Sequence, residues 1–271
     1  MIGIFDSGFG GLTILKQLKK DLGKYDYIYL GDNARAPYGN KSQDSIYNHT
    51  IEGVDFLFKK GAELVILACN TASSKALKKI QREWLPQNYP NKRVLGVIVP
   101  VIEASLEKNN IDPKKKKIGV IGTSVTINSK VFKKELNKIN SNLEIYSQAC
   151  PLLVPLIEEG WIKRKETRMI LRYYLKNLKL KKINDLILAC THYPLLQKQI
   201  AQIMGKQVKI LDTPKIISEK LADYLNRHGD IEKKISKNGE LKFYTTDDPK
   251  KFRELGQKFW GEKIEKVERV K

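Results

Sequence analysis

The sequence predicts an α/β protein made of two pseudo-symmetric halves, each a mainly parallel sheet flanked by helices. Three observations carry the prediction. Strand-like apolar runs alternate with helix-like runs along all 271 residues. The alternation restarts partway, at offsets of 115–121 positions. The tetrapeptide ILAC closes a strand-like run twice, at Ile66–Cys69 and at Ile187–Cys190.

The elements follow in order. IGIF (2–5) leads through DSGFGG into a helical run at 12–22. YIYL (27–30) is followed by the loop GDNARAPYG (31–39) and a helix near 43–60. LVILA (64–68) precedes a helix over 70–84, and VLGVIV (94–99) reads as a strand before PVIEASLEK. Continuous apolar runs of this kind, each followed by a helix, suit buried parallel strands. The second copy then begins. KIGVIGTS (117–124) matches MIGIFDSG, and LEIYSQAC (143–150) matches YIYLGD. DLILACTH (185–192) matches LVILACNT, and VKILDTP (208–214) matches LGVIVP. A repeat this long is a duplicated domain rather than a solenoid. The tail has a helix at 216–227, a polar linker at 228–240, a strand LKFYTT (241–246) and a helix at 249–260. Asp247 and Asp248 are placed to cap that last helix. One strand and one helix cannot stand alone, so the tail is expected to pack onto the first half.

Composition narrows the function classes. No apolar run reaches the roughly 18 residues of a membrane span. MIGIFDSG enters strand-like residues with no basic leader, and three cysteines do not make a disulfide framework. A cytoplasmic protein is the expectation. The net charge of +20 raises a nucleic-acid role. However, lysine dominates and is scattered, with KKKK at Lys114–Lys117 in a loop, and no nucleic-acid-binding signature is present. Solvated helix faces account for the charge better.

Ligands of parallel sheets sit outside the carboxyl ends of strands. Cys69 and Cys190 both lie there, each followed by polar residues, Asn70-Thr71 and Thr191-His192. A thiol at a helix start is expected to have a lowered pKa. A single such cysteine would read as packing; two at equivalent ends point to chemistry. Gly8, Gly10 and Gly11 after Asp6-Ser7 permit a tight, anion-accepting turn, and Gly122-Thr123-Ser124 is its counterpart. It is not a dinucleotide fingerprint, because Thr13 stands where a third glycine is needed. The loop at 31–39 carries Asp32, Arg35, Tyr38 and Gly39. Cys150 reads as packing, and His49 and His228 as surface or core residues without partners. Glu158 or Glu159 is placed to reach a cleft, and no Cys/His set has metal-ligand spacing.

In order, DSGFGGLT, GDNARAPYG, ACNTAS, GVIVP, IGTSVT, CPLLVPLIEEG and CTHYPLL make the chain resemble the glutamate racemases of the aspartate/glutamate racemase family. The resemblance extends to FYTTDDPKKFRELG and so covers nearly the whole chain. It implies a cofactor-independent two-base racemase, with the small-molecule substrate glutamate in a cleft between the two domains. It implies a first domain of residues 1–95 plus 213–271 and a second of 96–212. Cys69 and Cys190 would be the bases, assisted by Asp6 and His192 respectively. Asp6, Ser7, Tyr38, Gly39, Asn70, Thr71, Thr123, Thr191 and His192 would hold substrate. Asp32 and Glu158 match further acidic residues of the family with less settled roles. The product, D-glutamate, would serve peptidoglycan synthesis. A homodimer is compatible with this reading, and neither metal nor membrane enters it. Racemisation removes a proton from one face of Cα and delivers one to the other, so two bases on opposite faces explain a strand ending written twice. Two other readings stay open: a racemase of aspartate or a related amino acid, and a basic nucleic-acid-binding protein.

Overall fold

A computed structural model describes residues 1–107 and 116–270. Lys114 and Lys115 of the KKKK run lie outside the described residues; Lys117 opens a strand and Lys116 is buried against Asp185, 2.7 Å away. The first sheet contains β1 (Ile2–Asp6), β2 (Tyr27–Gly31), β3 (Leu64–Leu67) and β4 (Arg93–Gly96). The second contains β5 (Lys117–Gly122), β6 (Glu144–Ala149), β7 (Asp185–Ala189) and β8 (Lys209–Ile210). The tail adds β9 (Leu241–Thr245) and β10 (Glu268–Arg269).

The strand orders are β10-β9-β2-β1-β3-β4 and β6-β5-β7-β8, and all pairings are parallel. Under the sequence matches, β2-β1-β3-β4 and β6-β5-β7-β8 are the same order. The two ILAC runs therefore occupy the same place, beside the first strand of each sheet, with Ile4 opposite Ile66 and Val120 opposite Ile187. β1, β3 and β7 are buried along their whole length, as apolar runs with helices on both faces require. The tail joins the first sheet through β9 on β2, and it brings two strands rather than one. Asp248 alone caps the last helix, Pro249–Trp260, by accepting from the Lys250 N–H.

Two boundaries differ from the sequence expectation. VLGVIV is strand only to Gly96, and Ile98–Leu106 is a helix with Pro100 in its first turn. Proline is tolerated there because the first N–H groups have no intrahelical partner. Ile98, Val101 and Ile102 still bury their side chains, so an apolar run alone did not separate strand from helix. The polar linker also contains a short helix, Gly229–Glu232. No helix among the described residues is long and apolar enough to cross a membrane.

Candidate active site

A cavity of about 720 Å³ opens between the carboxyl ends of the two sheets. Both thiols line it, with Ser7, Tyr38, Gly39, Asn70, Thr71, Thr123, Glu158, Thr191 and His192. Cys69 follows β3 and is the N-cap of the helix Asn70–Lys75, its sulfur accepting from the Ala72 N–H at 3.5 Å. The Ser7 hydroxyl lies 3.4 Å from the same sulfur. Cys190 follows β7 and precedes a 3₁₀ turn, Tyr193–Leu196, rather than an α-helix. Its sulfur lies 3.8 Å from His192 Nδ1, and His192 Nε2 lies 2.9 Å from Glu158 Oε1.

The two halves touch at corresponding strand ends. From the end of β7, the Thr191 hydroxyl donates to Asp6 Oδ1 at the end of β1, at 3.3 Å. After β3, the Thr71 hydroxyl meets that of Thr123 after β5, at 3.0 Å. Both contacts sit on the cavity's flanks, so the sheets are held with their thiol-bearing ends facing one space. Thr13, to which the sequence assigned no place in the site, adds a hydrogen bond to the Thr191 carbonyl at 3.0 Å.

Burial decides the electrostatics. The Cys69 thiol is pushed up to about 12, first by burial and then by the charge of Asp6; the Ser7 hydroxyl and the Ala72 N–H oppose this without reversing it. The lowering expected from a helix start is overridden because the helix is six residues long and the thiol is 6% exposed. The charge of Cys190 adds to the upward push on Cys69. Asp6 is also raised by burial, against the pull of His192 and the N–H groups of Gly11 and Gly8. For His192, burial disfavours the cation, but hydrogen bonds to Cys190 and Glu158 win and raise it to about 10. At neutral pH it is an imidazolium, a donor from both nitrogens.

That shift predicts a pH dependence of stability. The folded-state value lies above the ordinary 6.5, so the folded protein holds the extra proton between the two values. The contribution is complete below about pH 6.5 and is lost as pH rises through about 10. We expect thermal unfolding midpoints to fall from pH 7 to 10, by about 2–4 °C per kcal/mol lost. His192→Asn should flatten this decline, and identical slopes in the two proteins would contradict the assignment.

Two predicted acids stand behind the cavity wall. Asp6 is fully buried and bonded to the Gly8 N–H and to Thr191; no hydrogen bond joins it to Cys69 among the described residues. Asp32 is fully buried and accepts from Arg35, Tyr38 and Thr246, so it anchors the loop that carries Tyr38. His49 has partners after all: Nδ1 meets Arg35 at 3.0 Å and Nε2 meets Ser45 at 3.1 Å. His228 stacks on Tyr224. Cys150 is buried in the core, its thiol 3.6 Å from the Gln148 carbonyl. Gly8, Gly10 and Gly11 do not use positive φ. Gly10 instead permits close approach, since a Cβ there would stand 2.7 Å from His192 Cε1 and closer still to Thr191 Oγ1.

Sequence reasoning missed the tail's share of the wall. Asp247, Lys251, Leu255 and Lys258 all line the cavity. The signal was present in the i, i+4, i+7 spacing of the last three. Asn70 Nδ2 is buried with no hydrogen-bond partner among the described residues, an orphan donor on a cavity wall. No group of three or more His, Cys, Asp or Glu among the described residues is arranged to hold a metal ion.

Comparisons with known proteins agree with this geometry. The family model for Asp/Glu/Hydantoin racemase matches residues 12–221. The glutamate racemase of Aquifex aeolicus is 39% identical over 264 residues, 97% of this chain and 95% of that protein. The crystal structure of glutamate racemase from Francisella tularensis in complex with D-glutamate has a TM-score of 0.87 at 37% identity, covering 100% of this chain and 97% of that one. A glutamate racemase isoform from Bacillus anthracis gives a TM-score of 0.89 at 32% identity, with 100% and 97% covered.

Proposed function

The chain belongs to the Asp/Glu/Hydantoin racemase family, and we propose that within it the protein interconverts L- and D-glutamate by proton transfer between two cysteines. One observation carries this: two thiols at matching strand ends of duplicated sheets line one cavity. The similarity to glutamate racemases over nearly the full length supports the substrate. The tail strands join the first sheet, which supports a division into residues 1–95 plus 213–271 and residues 96–212, although Gly96, the last residue of β4, still pairs in the first sheet.

In one direction the Cys69 thiolate takes the α-proton. An S–H bond forms as Cα–H breaks, and the electron pair moves toward the α-carboxylate. The Cys190 thiol then delivers its proton to the opposite face of Cα and becomes the thiolate. The reverse direction exchanges the roles. The α-proton is far less acidic than a thiol, so the developing charge needs fixed donors. Ser7, Thr71, Thr123 and Thr191 supply hydroxyls on the wall. The orphan Asn70 Nδ2 is satisfied if a substrate oxygen accepts from it. The upward push of Cys190 on Cys69 favours one thiolate and one thiol over two thiolates. His192 is a positioned proton donor beside Cys190. D-Glutamate for peptidoglycan, made in the cytoplasm, is the physiological reading.

Optical rotation of purified protein incubated with D- or L-glutamate, and with D- or L-aspartate, tests the assignment. Both glutamates should decay to the same racemic end point, well ahead of either aspartate. Faster turnover of aspartate would replace the substrate, and turnover of neither would remove the enzyme.

A further inference from the structure

Without its lysines the cavity wall would be unfavourably acidic for a substrate that carries a net negative charge. Glu158, Glu159 and Asp247 all line it. The charge of Glu158 is answered by His192. For Glu159 and Asp247, no ion pair exists among the described residues. Among the described residues, the other cations on this wall are Lys251 and Lys258, and no arginine lines it. Both lysines belong to the helix Pro249–Trp260, which the tail returns to the first domain. The adjoining face of that helix is fixed: Phe252, Gly256, Phe259 and Trp260 are buried, and Phe9 packs on both phenylalanines. Lys251, Leu255 and Lys258 therefore face the cavity as one stripe. Neither lysine has an ion-pair partner among the described residues. Lys258 reaches across the mouth, its amine 3.6 Å from where a Cβ on Gly160 would stand, beyond the helix Leu153–Glu158 of the other half.

We propose that Lys251 and Lys258 form a cationic rim that recruits a dicarboxylate anion into the cavity by cancelling the field of its uncompensated carboxylates. This rests on the racemase reading and extends it: the tail helix becomes part of substrate capture. Both lysines are exposed, so their field is screened over about 8 Å at physiological ionic strength. They act on entry and binding and stand apart from the reacting Cα. Low-dielectric cleft walls concentrate such a field. The signature is a salt-dependent loss of kcat/KM with kcat retained.

The test compares wild type with Lys251→Gln, Lys258→Gln, the double variant and the double arginine variant. kcat and KM for glutamate are measured at low and high salt, and glutarate binding is measured by calorimetry without turnover. The double glutamine variant should lose about 3–10-fold in kcat/KM at low salt, with kcat within about twofold. The loss should shrink toward nothing near 0.5 M salt, roughly where the screening length falls to a few ångströms. Glutarate affinity should follow the same pattern, and arginine at both positions should restore it. Unchanged kcat/KM at low salt, a loss that ignores salt, a loss confined to kcat, or no glutarate binding by wild type would each overturn the rim. Wild type that binds glutarate in a lysine- and salt-dependent way yet racemises nothing would sink the enzyme reading alone.

Discussion

Cys69→Ala and Cys190→Ala should each lose nearly all racemisation, whichever enantiomer is supplied, while Cys150→Ala retains it. The expected loss is about 10²–10⁴-fold or more, the scale of removing a positioned proton-transfer group. Each catalytic cycle uses both thiols, one as base and one as acid, so neither variant keeps a preferred direction. Enantiomers have equal free energies in an achiral solution, which forces kcat/KM to fall equally from either side. Cys150 is the internal control: it is as buried as the other two but packs in the core and does not line the cavity. Normal racemisation by either of the first two variants would end the two-thiol account. A variant with an intact fold by circular dichroism and no turnover supports it.

Gly10→Ala should be nearly as severe, although Gly10 carries no chemistry. A Cβ there would overlap Thr191 Oγ1 and His192 Nδ1. Those are the residues that follow Cys190, and Thr191 holds its half against the first sheet through Asp6 and Thr13. One methyl group must therefore displace the second base relative to the first. Misplacement by about 1 Å costs on the order of 10²-fold in rate. Most of the loss should fall on kcat. Gly8→Ala is the contrast, since a Cβ at Gly8 meets nothing nearer than 3.7 Å. Equal activity in the two variants would show that the approach of the two halves does not set the geometry.

What the sequence revealed and what it hid have physical reasons. The duplicated strand ends were legible because parallel strands buried on both faces need continuous apolar runs, and ILAC with its polar followers marks the same end twice. The gathering of Ser7, Asn70, Thr71, Thr123 and Thr191 follows from those ends facing one cavity. The placement of Asp6 and Asp32 behind the wall was not legible, because spacing shows that a carboxylate ends a strand and not which way it turns. The upward shift of Cys69 was hidden as well: helix-start arguments count a dipole, whereas burial and Asp6 act through tertiary structure. The tail helix was located along the chain, but Lys251, Leu255 and Lys258 join the site only once β9 pairs with β2. Gly10 read as a turn residue, and its real constraint comes from residues 181 and 182 positions away.

The central claim is that two bases guard opposite faces of one carbon, and the origin of the incoming hydrogen tests it most directly. The donor thiol exchanges its proton with solvent before substrate arrives, so the hydrogen it delivers is not the one removed. Turnover of a single enantiomer in D₂O, sampled early by mass spectrometry after chiral separation, should give product carrying deuterium at Cα. The remaining substrate should stay largely protiated. Early product that keeps the original hydrogen would require one base serving both faces, and would contradict the account.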